Sequence, residues 1–159
     1  MITAGITGCY MSAGLRKRLM LLKAVNAMLE EISILIRYKA ATVFEITEAI
    51  GKDNRFSELG FISGIKDTCT EPSAFSLRWE EAVMSYNFGS IKPQDLLFIS
   101  SIGQNLGSSD IEGQLSTLAL KKEELKALLA EAESDCKNKS KLYSSLGILT
   151  GAFITVLLV

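Results

Sequence analysis

Histidine is missing from this chain of 159 residues, and proline occurs only twice. The first absence removes the side chain most used as a general base and as a metal ligand. The second leaves few helix breakers, so long stretches are free to run as helix. Three cysteines, Cys9, Cys69 and Cys136, are far apart and form no CxxC pair. Zinc and thioredoxin-like chemistry therefore have no support. Their odd number argues for buried thiols in a reducing compartment rather than a disulfide framework. The net charge is −1, so there is no basic footprint for nucleic acid. No P-loop is present, and no nucleophile has an evident base. The expectation is a non-enzyme with no cofactor, no metal and no small-molecule substrate.

What the chain has instead is helical periodicity, with 48% apolar residues to build a core. From Ser109 to Val159 there is no proline and there are only three glycines. Ile111, Leu115, Leu118, Leu125, Leu129, Ala132 and Cys136 recur at steps of three, four or seven, which predicts one long amphipathic helix. Such a helix would run roughly 75 Å, more than a small domain's diameter. No charge follows Lys141, so the simplest account is that the helix leaves a domain and enters a bilayer.

Residues 1–15 are also uncharged, with Ala4, Gly8 and Ser12 at four-residue steps. They read as a membrane anchor cut short at its start. The helix continues into Leu19–Lys39 with two apolar stripes. One is Leu15, Leu19, Leu22, Leu29 and Ile36; the other is Leu21, Val25, Met28, Ile32 and Leu35. A face this wide calls for more than one packing neighbour. Glu30 and Glu31 are adjacent, so they diverge on a helix and read as a solvated edge.

Thr42 with Glu45 forms a capping box for a short helix to Ile50, stopped at Gly51, with Ile46 and Ile50 inward. A third helix is expected near Arg55–Cys69, with Phe61, Ile65 and Cys69 on one face and weakened by Gly60 and Gly64. Thr70–Ser73 opens a fourth, lined by Phe75, Trp79, Val83 and Tyr86, with Trp79 in the core. Pro93 and Asp95 start a fifth through Leu96, Leu97, Ile102 and Leu106. Gly107 fits a left-handed position after it, and Ser109 with Glu112 reads as a second capping box. Glu133 with Lys137 and Asp135 with Lys139 are expected ion pairs along the last helix.

The expected fold class is therefore all-α: a six-helix bundle whose long first and last helices continue into membrane anchors. The units are 1–15 as the first anchor, 16–141 as a cytoplasmic helical domain and 142–159 as the second anchor. Eighteen residues reach about 27 Å, barely a span. Gly147 and Gly151 form a GxxxG face for packing on another membrane helix. Arg16, Lys17, Arg18 and Lys23 follow the first apolar segment, and Lys137, Lys139 and Lys141 precede the last. Positive charge favours the cytoplasm, so the domain is expected there.

Several of these features resemble one family. The corner Leu106-Gly107-Ser108-Ser109-Asp110 with Gln114 is similar to the stage III sporulation protein AB family. So are the tail Lys141-Leu142-Tyr143-Ser144-Ser145-Leu146-Gly147, the basic Leu15-Arg16-Lys17-Arg18 and the segment around Trp79 and Ala82, although Arg78 here precedes the tryptophan. The first apolar segment is shorter than the family pattern. The resemblance covers essentially the whole chain. It implies an endospore-former's component of the channel complex joining mother cell and forespore, on the mother-cell side of the membrane. It also implies a domain resembling the F domain of type II secretion and type IV pilus platform proteins. The implied partners are the sporulation ATPase, stage III protein AA, and other membrane components of the complex. The family brings no catalytic motif. Gly107, Ser109, Asp110 and Gln114 are the marked positions, read either as corner hydrogen bonding or as an ATPase contact.

Three other readings compete. A generic platform protein of a secretion or pilus machine would share the fold. A pore or holin-like oligomer would use the glycine-rich segments, although neither carries a charge of the kind that often lines an ion path. A carboxylate metal site at Glu45 and Glu48, three apart on a short helix, is the third; solvated charge is by far the better explanation of those residues.

Overall fold

The computed structural model describes the backbone of residues 2–66, 74–107 and 109–158. It describes side chains for 13–65, 74–104, 106–107 and 109–138. Among these residues the elements are α1 (Ile2–Lys39), α2 (Val43–Lys52), a 3₁₀ helix (Asn54–Leu59), α3 (Phe61–Lys66), α4 (Phe75–Ser85), α5 (Pro93–Asn105) and α6 (Ile111–Leu158). The all-helical expectation holds. The expected boundaries at 15/16 and 141/142 fall inside unbroken helices, of 38 residues for α1 and 48 for α6. At 1.5 Å per residue these run about 57 Å and about 72 Å. Among the described residues no helix is long and apolar enough to cross a membrane. The side chains of the two apolar ends, 1–12 and 139–159, lie outside the described residues, as do Cys9, Cys69 and Thr70–Ser73.

α1 is the spine. Leu21, Leu22, Val25, Met28, Leu29, Ile32, Leu35 and Ile36 are all buried, so both stripes are used. α6 packs along one side, and the 3₁₀ helix and α2 along another. Arg18 meets Asp135 at one end, while Arg37 lies beside Ile111 and Leu115 at the other, so α1 and α6 are antiparallel. α1 closes at Ala40, whose φ of 49° is left-handed, with Ala40 N–H donating to the Ile36 carbonyl. α2 then starts on the expected capping box: Thr42 N–H donates to Glu45 at 2.7 Å, and Glu45 N–H to the Thr42 hydroxyl at 3.3 Å. It ends at Lys52, one residue past Gly51.

The expected third helix is broken. Asp53 caps the Arg55 N–H and pairs with its guanidinium, which tightens the chain into the 3₁₀ helix. Phe56 sits there at φ −105°, ψ 19°, outside helical values, with its ring buried. The α-helix begins only after Gly60, where a side chain would meet the Tyr86 hydroxyl. The bundle thus has seven helical elements rather than six among the described residues.

α4 packs on α5 through Trp79, 1% exposed. Its Nε1–H donates to the Ile99 carbonyl of α5 at 2.9 Å. That carbonyl is reachable because Gly103, one turn later, has no side chain; a Cβ there would overlap the indole. Phe61 meets Trp79 edge to face at 5.1 Å, and Phe75 and Phe88 extend the aromatic cluster. Two expected core positions are not core. Tyr86 lies past the end of α4 in extended backbone and is 37% exposed, because the helix stops at Ser85. Leu97 is 63% exposed, on the opposite side of α5 from Ile99 and Ile102.

The same substitution should have opposite signs at two glycines. Gly103→Ala forces the indole to move and should cost about 1–3 kcal/mol. Gly64→Ala has open space within 4 Å and should stabilise by about 0.4–1 kcal/mol. Urea unfolding of the two variants beside the parent checks both.

Candidate functional site

The two ends of the bundle carry different things: one a buried charge cluster, the other an exposed corner. Arg18 is the centre of the first. It falls on the line of Leu22, Val25 and Leu29 and is 3% exposed. Its Nε donates to Asp95 Oδ2 at 2.6 Å and its Nη2 to Asp95 Oδ1 at 2.9 Å, a bidentate pair. Asp95 is fully buried in the first turn of α5, where its carboxylate also accepts the Lys92 N–H at 3.1 Å. Arg18 reaches α6 as well, at Asp135 (3.2 Å) and Glu131 (3.4 Å). Lys92 joins the same two carboxylates at 2.9 Å and 2.5 Å. One guanidinium therefore ties α1, α5 and α6 together.

This corrects two sequence expectations. Arg18 is not a solvated flanking charge. Asp135 turns across the bundle to Arg18 and Lys92, and Glu133 toward Lys23 at 3.8 Å rather than along α6 to Lys137; the Lys139 side chain lies outside the described residues. Both carboxylates lie near the face that follows Leu118, Leu125 and Ala132 inward, so inter-helix partners are nearer. Glu30 does face solvent beside Asn26, whereas Glu31 pairs with Arg55.

The charges hold one another ionised. Bonding to Asp95 raises Arg18 above its ordinary value. Bonding to Glu131, then Asp135, raises Lys92. The Lys92 hydrogen bond, helped by Gln94 and Arg18, holds Glu131 below the usual carboxylate range. Glu131 therefore stabilises the fold above its unfolded value, and that contribution is lost as pH falls through the folded one. Lys92 contributes below its unfolded value and loses that as pH rises through the folded one.

At the other end α5 stops at Asn105 and Gly107 takes the left-handed φ of +77°. A Cβ at Gly107 would also meet Val43 of α2 at 2.8 Å, so the corner needs glycine for shape and for closeness. The Gln114 side chain staples the corner: its Oε1 accepts the Gly107 N–H at 3.1 Å, and its Nε2 donates to the Ser109 carbonyl at 2.8 Å. Asp110 caps α6, its Oδ1 accepting the Gly113 N–H at 3.2 Å. The expected Ser109–Glu112 box does not form. Gln114 holds Ser109 in the loop, which moves the helix start one residue on. The structure thus brings Gly107, Ser109, Asp110 and Gln114 together, and each has an intramolecular role. Ser108 lies outside the described residues. Gly147 and Gly151 fall in α6, in the stretch whose surroundings lie outside the described residues.

Beside the corner, Arg37, Ile111, Glu112, Leu115 and Ser116 line a shallow groove. Ile111 is 44% exposed, and Ile34 and Tyr38 of α1, three residues before and one after Arg37, are exposed too. Among the described residues no group of three or more Cys, Asp or Glu is placed to hold a metal. Glu45 is engaged by the Thr42 cap and Glu48 by Lys52.

The antiparallel pair α1 and α6, the ion-pair end and the capped corner define an all-helical bundle protein. The family model described as stage III sporulation protein AB matches residues 1–159, so the chain belongs to that family and has a sporulation-related role. No curated protein and no solved structure matches the chain significantly.

Five substitutions test the two ends. Arg18→Met leaves the Asp95 charge buried and should cost about 3–5 kcal/mol; adding Asp95→Asn should recover part of it in a double-mutant cycle. Melting temperature should fall at the acid side of about pH 4, and Glu131→Gln should flatten that decline. At the corner, Gln114→Ala should cost about 1 kcal/mol and Asp110→Ala about 0.5–2 kcal/mol, measured by urea unfolding.

Proposed function

We propose that this chain is a membrane-anchored, non-catalytic adaptor of the mother cell–forespore channel complex, coupling a secretion-type ATPase to the membrane assembly. One observation carries the reading: α1 and α6 are antiparallel, so both uncharged end segments leave the bundle at the Arg18–Asp135 end. Two anchors at one end put the corner at the far end. Arg18 and Arg37 are about 28 Å apart along α1. That distance sets the corner groove off the bilayer, facing the cytoplasm on the mother-cell side.

The partner in this reading is the sporulation ATPase, stage III protein AA. It docks on Ile34, Tyr38 and Ile111, whose apolar exposure is the kind that anchors a protein contact. Other membrane components of the complex meet the anchors, with Gly147 and Gly151 offered for helix packing.

The test is binding of the full chain in lipid nanodiscs to that ATPase, with and without ATP. The expected result is saturable binding weakened at least tenfold by Ile111→Asp, with the melting temperature unchanged. An acid in the first turn of α6 favours the helix, so lost binding would not come from unfolding. Absence of binding by the folded parent protein, or parent-like binding by the variant, contradicts the reading or its surface respectively.

A further inference from the structure

The loop between α4 and α5 is not at the side of the bundle but at its ion-pair end. A side chain at Gly14 of α1 would meet the Ser90 hydroxyl at 2.6 Å. A side chain at Gly89 would lie 3.6 Å from the Lys17 Nζ. Residues 87–90 therefore lie against α1 where its charged part gives way to the uncharged segment 1–15. Asn87, Gly89 and Ser90 are exposed there, while Phe88 is buried beneath them and roots the loop in the aromatic cluster. The loop has its own brace: the Gly89 N–H donates to Asn87 Oδ1 at 2.9 Å, and Gly89 is left-handed at φ +74°.

The charges around this loop do not cancel. Four carboxylates at this end, Asp95, Glu131, Glu133 and Asp135, are taken by Arg18, Lys92 and Lys23. Arg16, Lys17 and Lys137 are exposed and have no ion-pair partner among the described residues. Arg16 and Lys17 stand two residues and one residue before Arg18, and Lys137 two residues beyond Asp135, so all three lie at the same end. The cluster pairs these acids and leaves Arg16, Lys17 and Lys137 as the unpaired charges around a neutral loop, among the described residues.

We infer that these three cations and the loop 87–90 rest on anionic phospholipid headgroups. This rests on the anchored arrangement proposed above, and goes beyond it: the bilayer surface, not only its interior, is a binding partner. Each cation within reach of an anionic leaflet strengthens such a contact roughly fivefold, so three together give on the order of a hundredfold. The contact would hold the bundle upright and keep the corner pointed away from the membrane.

The test is hydrogen exchange of the full chain in nanodiscs made of phosphatidylcholine alone or with phosphatidylglycerol. Amides of 87–91 should exchange at least tenfold more slowly with phosphatidylglycerol. Salt at 1 M, where the screening length is about 3 Å, should abolish the difference without any variant. Arg16→Glu with Lys17→Glu and Lys137→Glu should abolish it too, with amides around Trp79 unchanged as the folding control. Equal exchange of 87–91 in the two lipids, from a chain that resists alkaline carbonate extraction, overturns this inference and leaves the anchored reading standing. A chain released by carbonate overturns both.

Discussion

The bidentate pair of Arg18 and Asp95 is the constraint on which the arrangement depends. Both groups are almost fully out of water, so neither is tolerable alone. The pair fixes the start of α5 against α1, and the reach of Arg18 to Glu131 and Asp135 fixes α6 against both. Apolar stripes can slide by a turn at small cost, whereas a fork of paired hydrogen bonds cannot. The register of the three helices therefore follows from one side chain. That register sets which end of the bundle both terminal segments leave from.

The second consequence is a division of labour between the ends. At the ion-pair end, acids are consumed internally and cations are left outward. At the corner end, polar groups are consumed by the turn itself, through Gln114 and Asp110, and apolar side chains are left outward. The aromatic cluster around Trp79 joins them from the side, holding α4 to α5 through a carbonyl that only a glycine one turn away exposes.

Local patterns were legible in the sequence and distant pairings were not. The two stripes of α1, the Thr42–Glu45 cap and the left-handed Gly107 depend on neighbours a few residues away, and each is found as expected. Arg18 and Asp95 are 77 positions apart, a separation that leaves no periodic trace. A signal existed even so: Arg18 stands in line with Leu22, Val25 and Leu29, where a solvated charge does not belong. Its place beside an uncharged segment made it read as a flanking charge instead. The split of the third helix turned on Asp53 bonding its own neighbour's N–H, a turn signal that the helical pattern of Phe61 and Ile65 masked. At the corner, competition between Ser109 and Asp110 for the cap is decided by Gln114, five residues beyond Ser109.

The central claim is that α1 and α6 are antiparallel in register, so that both uncharged ends leave together. The most direct measurement is a pair of spin-label distances on the full chain in nanodiscs, with the native cysteines replaced by serine. One pair is Met20 with Lys137, the other Met20 with Ser116; all three positions are exposed. Lys137 and Ser116 lie about 31 Å apart along α6. The account predicts the Met20–Lys137 distance to be shorter than the Met20–Ser116 distance by on the order of 20 Å. Equal distances, or the reverse order, would contradict it.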